Sequence, residues 1–405
     1  MSSVNFSNRK LALVAACVIL CAGCSMHKQP ALLREASVPD KSLRIAVLPI
    51  LNLSGKTAPL KGIRLALIRR VLRAGGRVLD DDGLERFMTR YRVRYIGGID
   101  TATAQALKDE AGIDAVLVTS LERYHADEGL PAIALTSRLV STEYMPPRII
   151  WMESTSQAGD DSPGVLGLGL ITDIGRLQEK AIDRLTDSLA GFLSGKPLGG
   201  IGRGEWRFHP KLAYYARFMV PGRKYRVAVA PFFNLSPTSE ADEIVALQLI
   251  RQMVKTGVFE IIDPGVVREK LLKRRVIMRE GVSASDEDIL FNTMDADLIV
   301  AGKVLNYDDA AGESGPGVEF NVMVFERKSK KAVWASWSGN HGADGVFFFD
   351  WRWVNTAGSL ASRMAKTVVR DMISLGSIKD ARQLQENTVT TGTWAFMQKT
   401  FPAGW

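Results

Sequence analysis

The three cysteines are the most reactive side chains of this chain, and they lie within eight residues of one another: Cys17, Cys21 and Cys24. A cysteine thiolate can bind a metal, act as a nucleophile, form a disulfide or accept another group. Their position indicates that they belong to a leader segment, because a short apolar run, Leu11 to Leu20, directly follows Arg9 and Lys10. A positive start followed by an apolar core is the pattern of an export signal.

The end of this leader resembles a bacterial lipobox. In Leu20-Cys21-Ala22-Gly23-Cys24, a small pair precedes the cysteine that accepts lipid in that motif. Cys21 stands where the motif usually has leucine, and as acceptor it would place the bulky Leu20 beside the cleaved bond. We therefore expect residues 1–23 to be a signal peptide and Cys24 to carry palmitate and further acyl chains. Several acyl chains together would anchor the protein stably in a membrane. An ordinary signal peptide or a short anchor helix is the alternative.

Removal of the leader would leave Cys24 as the single cysteine, so we expect no disulfide and no cysteine-based metal site. The next residue is Ser25, not the aspartate associated with retention in the inner membrane. We expect the chain to be anchored in the outer membrane and to face the periplasm.

The remaining candidates for chemistry are weak. The four histidines lack a second histidine or acid at metal-ligand spacing. The glycine-rich run 199–204 looks like a phosphate loop, but it has no preceding strand and no Lys-Ser/Thr pair. No Gly-x-Ser-x-Gly elbow is present. We expect no catalytic residue, no cofactor and no metal. An undetected enzyme is a third hypothesis, which a deep polar pocket with convergent ionisable groups would favour.

The strongest pattern in the sequence is an internal repeat. Residues 44–54 return as 226–236 at a spacing of 182, with Arg-Ile-Ala-Val-Leu-Pro matched by Arg-Val-Ala-Val-Ala-Pro. Residues 113–118 correspond to 296–301, and residues 149–151 to 332–334, at a spacing of 183. A period of this length indicates two whole domains, because solenoid repeats are far shorter.

Each repeat shows the same order of elements, β-α-β-α-β-β-β-α. Val227 to Pro231 is a short apolar run typical of a buried strand, and the stretch from Ala241 to Thr256 predicts a helix that ends at Gly257. The expected fold is α/β, with two duplicated domains that each have a mixed sheet (a parallel part and an antiparallel hairpin) flanked by helices. We expect Val47 to superpose on Val229, Trp151 on Trp334, and Leu185 on Val368.

The predicted organisation is a signal peptide (1–23), a tether (24–42), a first domain (43–194), a Gly-rich and aromatic linker (195–223), a second domain (224–376) and a C-terminal tail (377–405). Asn52 and Asn234 follow the first strand of each repeat. They could bind a ligand, but we expect them to cap the strand end and satisfy backbone groups of the turn.

These motifs resemble the TolB amino-terminal domain, a fold shared with the curli-secretion lipoprotein CsgG and the LpoB-type activators of penicillin-binding proteins. Residues 227–236, 297–302 and 333–334 carry the resemblance, which covers nearly all of both repeats. The first repeat departs at Met145-Pro146-Pro147, where the family has a polar, Gly-containing turn. The resemblance implies binding to partner proteins in the cell envelope, without catalysis. The loops look too short for the membrane strands of CsgG, which argues against a pore.

The expected function is therefore a lipid-anchored periplasmic scaffold or activator that binds partner proteins in cell-envelope assembly. The alternative is an oligomeric component of secretion or transport, related to the curli-secretion lipoprotein and forming homo-oligomers. We expect no nucleic-acid partner, because the net charge of +8 is not concentrated in basic clusters.

Residues 345–353 contain five aromatic side chains between the last strand and the last helix. This segment could fold over its own core as a lid, or it could form a contact surface for a partner or the membrane. Phe348, Trp351 and Trp353 are the candidate partner-binding residues.

Overall fold

Two β-sheets, one built by each repeat, form the framework of the protein. The computed structural model describes residues 42–126, 130–161, 169–275, 291–309, 314–346 and 353–377. Cys24, Phe348 and Trp351 lie outside the described residues, as do the signal peptide and nearly all of the predicted tether and tail. Both repeats belong to one structural unit, Ala36–Trp405.

The described residues of the first repeat form six strands, in the sheet order β3-β1-β4-β5-β6 with β2 beside β4. The strands are β1 (Arg44–Val47), β2 (Leu51–Asn52), β3 (Arg77–Val78), β4 (Ala115–His125), β5 (Ala132–Ser141) and β6 (Arg148–Ala158). Strand β1 is parallel to both β3 and β4, whereas β4, β5 and β6 form an antiparallel meander. The helices are α1 (Leu60–Arg73), α2 (Asp81–Arg90), α3 (Thr101–Ala111) and α4 (Ile174–Leu193).

In the second repeat, seven strands lie within the described ranges, in the order β10-β8-β11-β12-β13-β7 with β9 beside β11. The strands are β7 (Lys211–Tyr215), β8 (Tyr225–Val229), β9 (Phe233–Asn234), β10 (Phe259–Ile261), β11 (Leu298–Asp308), β12 (Gly317–Glu326) and β13 (Lys331–His341). The helices are α5 (Ala241–Thr256), α6 (Pro264–Lys273) and α7 (Ala357–Gly376), and residues 291–294 form a further helical turn. Helix α5 has the predicted bounds, because Gly257 ends it in the left-handed conformation with φ of 69°.

The duplication is confirmed at the three pairs of positions that were predicted to correspond. Val47 ends β1 and Val229 ends β8, and they pair with Leu117 and Val300 at corresponding positions. Trp151 and Trp334 are both the fourth residue of their strand, and both are buried. Leu185 and Val368 hold the same position in α4 and α7.

Each sheet is covered by helices on both faces. In the first repeat, Val71 of α1 and Leu189 of α4 pack with Val47, Leu117 and Trp151 on one face. Leu84 and Phe87 of α2 and Leu107 of α3 belong to the cluster on the other face. Strand residues buried on both faces explain the continuous apolar runs in the sequence.

The predicted linker needs a correction. Residues 195–223 do not form a linker throughout, because Lys211–Tyr215 is strand β7 and pairs antiparallel with β13 from Trp334 to Trp337. Phe208, Phe218 and Met219 in the same stretch are buried. Four of the five aromatic residues of this stretch therefore belong to the core or the sheet of the second repeat, whereas Trp206 is 66% exposed.

Candidate functional site

The polar side chains that could do chemistry meet mainly where the two repeats touch. Strand β6, the outer strand of the first sheet, lies against β10, α5 and α7 of the second repeat. Arg148 forms a single antiparallel bridge with Ile262, and the Asp263 N–H donates to the Pro147 carbonyl at 3.0 Å. The interface is heterologous, since different surfaces of the two similar units meet.

A buried ion pair joins the repeats at this edge. Arg138 on β5 and Asp263 before α6 are 1% and 0% exposed, and Arg138 Nε donates to Asp263 Oδ2 at 3.0 Å. Asp263 Oδ1 also accepts from the Ile99 N–H at 3.0 Å and the Gly265 N–H at 2.8 Å. Asp263 therefore caps α6 and neutralises a cation of the other repeat.

Gly98 allows the backbones to approach this closely. A Cβ atom on Gly98 would lie 2.5 Å from Asp263 Oδ1 and 2.7 Å from the Gly265 nitrogen, closer than real Cβ contacts. A larger residue at position 98 would push the two repeats apart.

A second buried cluster holds a protonatable carboxyl. Glu122 on β4 accepts hydrogen bonds from Thr136 Oγ1 and from Gln248 Nε2 of α5. Burial raises the pKa of the Glu122 carboxyl to about 7, although both hydrogen bonds act in the opposite direction. Glu122 is 5% exposed and Gln248 is 1% exposed. The hydrogen bonds from Gln248 make this carboxyl part of the interface between the repeats.

A third group sits at the rim of the interface. Glu153 on β6 accepts hydrogen bonds from Arg251 Nε and Lys255 Nζ of α5, each at 2.7 Å. Burial raises the pKa of Glu153, but the two cations outweigh it, and the net pKa lies below its usual range. Helix α5 therefore holds the acidic side chain of a neighbouring edge strand between two cations.

Helix α1 of the first repeat corresponds to α5. The face of α1 that matches the β6-binding face of α5 is exposed among the described residues. Leu65, Arg69, Leu72 and Arg73 are exposed on α1, and we call these four residues the α1 stripe. At a spacing of 182 they correspond to Leu247, Arg251, Val254 and Lys255 of α5. Leu65 and Leu72 are 49% and 51% exposed, whereas Leu247 and Val254 are 2% and 4% exposed. Equivalent side chains are buried in one repeat and open in the other.

Two cavities also lie between the repeats. One, of about 270 Å³, is lined by Tyr95, by apolar residues and by the charged side chains of Glu240, Asp242, Glu243 and Arg268. Burial raises the pKa of Glu243 to about 7 and also raises the pKa of Asp242. Its described lining has three carboxylates and no serine, cysteine or histidine. The other, of about 360 Å³, is a polar cleft lined by Lys180, Arg184, Arg251 and Arg363 together with Trp353.

Trp353 is the only one of the predicted site residues that falls within the described part of the chain. It is half-buried, and its ring lies close enough to Gly315 that a Cβ there would be 2.9 Å from it. A partner-binding role for Trp353 stays a prediction, as does lipidation of Cys24.

The two asparagines act as turn caps, as expected. Asn52 Oδ1 accepts from the Ser54 N–H at 3.1 Å, and Asn52 Nδ2 donates to the Lys56 carbonyl at 2.8 Å. Asn234 repeats both bonds with Ser236 and Thr238, each at 2.9 Å.

Within the described ranges, no group of three or more histidine, cysteine, aspartate or glutamate side chains is placed to hold a metal ion. In the same ranges, no helix combines the length and the apolar content that a membrane span requires.

Parts of this chain resemble solved structures of other proteins. No protein-family model matches the chain, and no curated protein matches it either. Solved structures that resemble part of it include a PelC dodecamer from Paraburkholderia phytofirmans, with 15% identity, 40% of this chain and 94% of that chain covered, and a TM-score of 0.27. A lipoprotein from Neisseria meningitidis has 19% identity, 36% and 99% coverage, and a TM-score of 0.26. The LpoB C-terminal domain from Salmonella enterica has 13% identity, 30% and 87% coverage, and a TM-score of 0.24.

Proposed function

We propose that the protein is a lipid-anchored component of the cell envelope, held in the outer membrane and facing the periplasm, that binds partner proteins as a scaffold or activator and catalyses no reaction. The leader that ends at Cys24 supports the anchor. The binding role is supported by the arrangement of the two repeats.

The α1 stripe is the observation that carries this proposal. Two leucines about half exposed, Leu65 and Leu72, lie on one side of a helix with Arg69 and Arg73 among them. Exposed apolar side chains rimmed by charge are typical of protein contact surfaces. The equivalent face of α5 is such a contact within this chain, because it holds β6 of the first repeat.

The alternative is an oligomeric secretion component. Such an oligomer would need the free face of the second repeat in one copy to bind the free face of the first repeat in the next copy. In the first repeat, β6 is the strand that joins the next unit. In the second repeat its counterpart, β13, is covered by β7. This arrangement favours a foreign partner over continued self-association.

Site-specific photo-crosslinking of the full-length chain in bacterial envelopes tests the proposal. We expect a benzophenone amino acid at Leu72 to give an adduct of discrete mass in the membrane fraction. The same probe at Leu272 is a matched control, because Leu272 is 52% exposed on α6 of the second repeat. Absence of any adduct at position 72 would contradict a binding role for this face.

Cys24→Ala tests the anchor in the same system. We expect this variant to accumulate as the unprocessed precursor, to lose palmitate labelling and to lose the position-72 adduct. Labelling that persists in Cys24→Ala would move the lipid to Cys21 or Cys17.

A further inference from the structure

We infer that the α1 stripe binds an exposed edge strand of a partner protein, and that this strand places a carboxylate between Arg69 and Arg73. The inference rests on the proposed function, and it specifies the chemistry of the partner.

The second repeat shows what such a face holds. Leu247 and Val254 are buried on α5, in the hydrophobic cluster that contains residues of both repeats. Arg251 and Lys255, next to them on the helix, hold the Glu153 carboxylate of β6. The ligand of this face is therefore an edge strand with an acidic side chain.

The α1 stripe has the same chemistry at each of the four positions. Leucine occupies both 65 and 247, and arginine occupies both 69 and 251. Leu72 replaces Val254, and Arg73 replaces Lys255, so apolar and cationic character are kept. Nothing in the fold of the first repeat itself requires exposed leucines there, because the core face of α1 is made by Ile63, Leu67 and Val71.

The sheet edge beside the α1 stripe corresponds to the edge of the second sheet that contacts β6. In the second repeat, the strand next to α5 is β10, and the residue that follows it, Ile262, bridges to β6. The counterpart of β10 is β3, an outer strand of the first sheet among the described residues. A partner strand can therefore contact β3 and the α1 stripe together, as β6 contacts β10 and α5.

The edge strands of a second copy fit poorly. Strand β6 of every copy is already engaged within its own chain. At the other end, Ser336 stands in β13 where Glu153 stands in β6, and the strand that covers β13, Lys211–Tyr215, has a lysine and no acid. The two remaining outer strands among the described residues are β3, which has no acid, and β10, whose Glu260 is paired with Arg148. We therefore assign the acidic edge strand to a different protein.

A synthetic peptide with the sequence of β6, residues 148–158, is the probe for a direct test with the mature full chain. We expect the fluorescently labelled peptide to bind and to raise the fluorescence anisotropy in a saturable way. A peptide with glutamine at the position of Glu153 should bind about tenfold more weakly or worse, because one partner of a desolvated charge pair is removed. The variant Arg69→Glu with Arg73→Glu should weaken binding of the original peptide to a similar degree.

Arg86→Glu with Lys108→Glu is the control, since both cations are exposed, on α2 and α3, and the net charge changes equally. This control should bind the peptide like the wild type, and circular dichroism should show that both variants are folded. Failure of the peptide to bind, or equal weakening by the control pair, overturns the inference. If the peptide fails while the Leu72 adduct still forms, the proposed function stands and only the acidic-strand partner is wrong. An adduct of twice the chain mass would show that a second copy is the occupant.

Discussion

Replacement of Arg138 by methionine is the sharpest test of how the two repeats are held together. Arg138 pairs with Val118 and Met152 in the first sheet, and Met323 occupies the corresponding position of β12, between Ala301 and Ala335. The variant Arg138→Met therefore installs a side chain that this fold already accepts at that position. It removes the buried cation facing Asp263 and the hydrogen bond that Arg138 donates to the Gly97 carbonyl.

The expected loss of unfolding free energy follows from the Asp263 carboxylate, which stays buried without its cation. Breaking a buried ion pair by removing one partner typically costs about 3–5 kcal/mol of unfolding free energy. Asp263 keeps its hydrogen bonds from the Ile99 and Gly265 N–H groups, so we expect a loss of about 3 kcal/mol, near the lower end of that range. The double variant Arg138→Met with Asp263→Asn removes both charges and keeps an acceptor for the two N–H groups. Because the Gly97 carbonyl still lacks its donor, the double variant should recover to within about 2 kcal/mol of the wild type.

Urea unfolding of the mature chain, followed by far-UV circular dichroism, measures these free energies. Asp80→Asn is the matched control, because Asp80 caps α2 as Asp263 caps α6 but is exposed. Asparagine is nearly as good a cap as aspartate, so the control should lose less than about 1 kcal/mol. A loss below about 1 kcal/mol for Arg138→Met, or a double variant no more stable than the single one, would refute the role assigned to this pair.

Two further predictions concern the interior. Because burial raises the pKa of Glu122 from about 4.5 to about 7, the native state holds a proton that the unfolded chain has lost between these pH values. Stability should therefore fall as pH rises from about 4.5 to about 7, and Glu122→Gln should flatten this part of the curve of melting temperature against pH; an unchanged curve would contradict the assignment. Val229→Asp puts an unpaired charge at a position that is 4% exposed and should cost about 4 kcal/mol or more in urea unfolding, whereas Val220→Asp, at a position 56% exposed, should cost less than about 0.5 kcal/mol. Equal effects of the two aspartates would show that the strand is not buried.

The fold was predictable because the same pattern of elements recurs in the two repeats of the sequence. The short apolar runs at 45–47 and 227–229 and the helix that ends at Gly257 carry their own local signals, and the constant spacing fixes which elements correspond. Strand β7 was missed because Lys211–Tyr215 has no regular alternation and is paired with residues more than 100 positions later. Its assignment depends on long-range pairing rather than on local propensity.

The interface was not predictable in the same way. Asp80 and Asp263 look alike in the sequence, as caps of equivalent helices, and only the structure shows that one is exposed and the other faces Arg138. The α1 stripe did leave a signal. Leucine and arginine recur at 65 and 247 and at 69 and 251, on helix positions outside the shared core face. That agreement between repeats points to a use beyond the packing of each domain.

Strand β7 also bears on whether this protein forms filaments. A heterologous contact between similar units has no built-in end, so two units that join through different faces can keep adding further units into an open chain. Uncovered edge strands promote the same outcome through backbone pairing. In this chain one end of the two-unit array is closed by β7, which pairs with β13 and presents Lys211 and Tyr214 to solvent. The contact that β6 makes with the next unit therefore cannot be repeated from β13, because β7 already occupies that edge. Open-ended growth by this contact should stop after the two units of one chain.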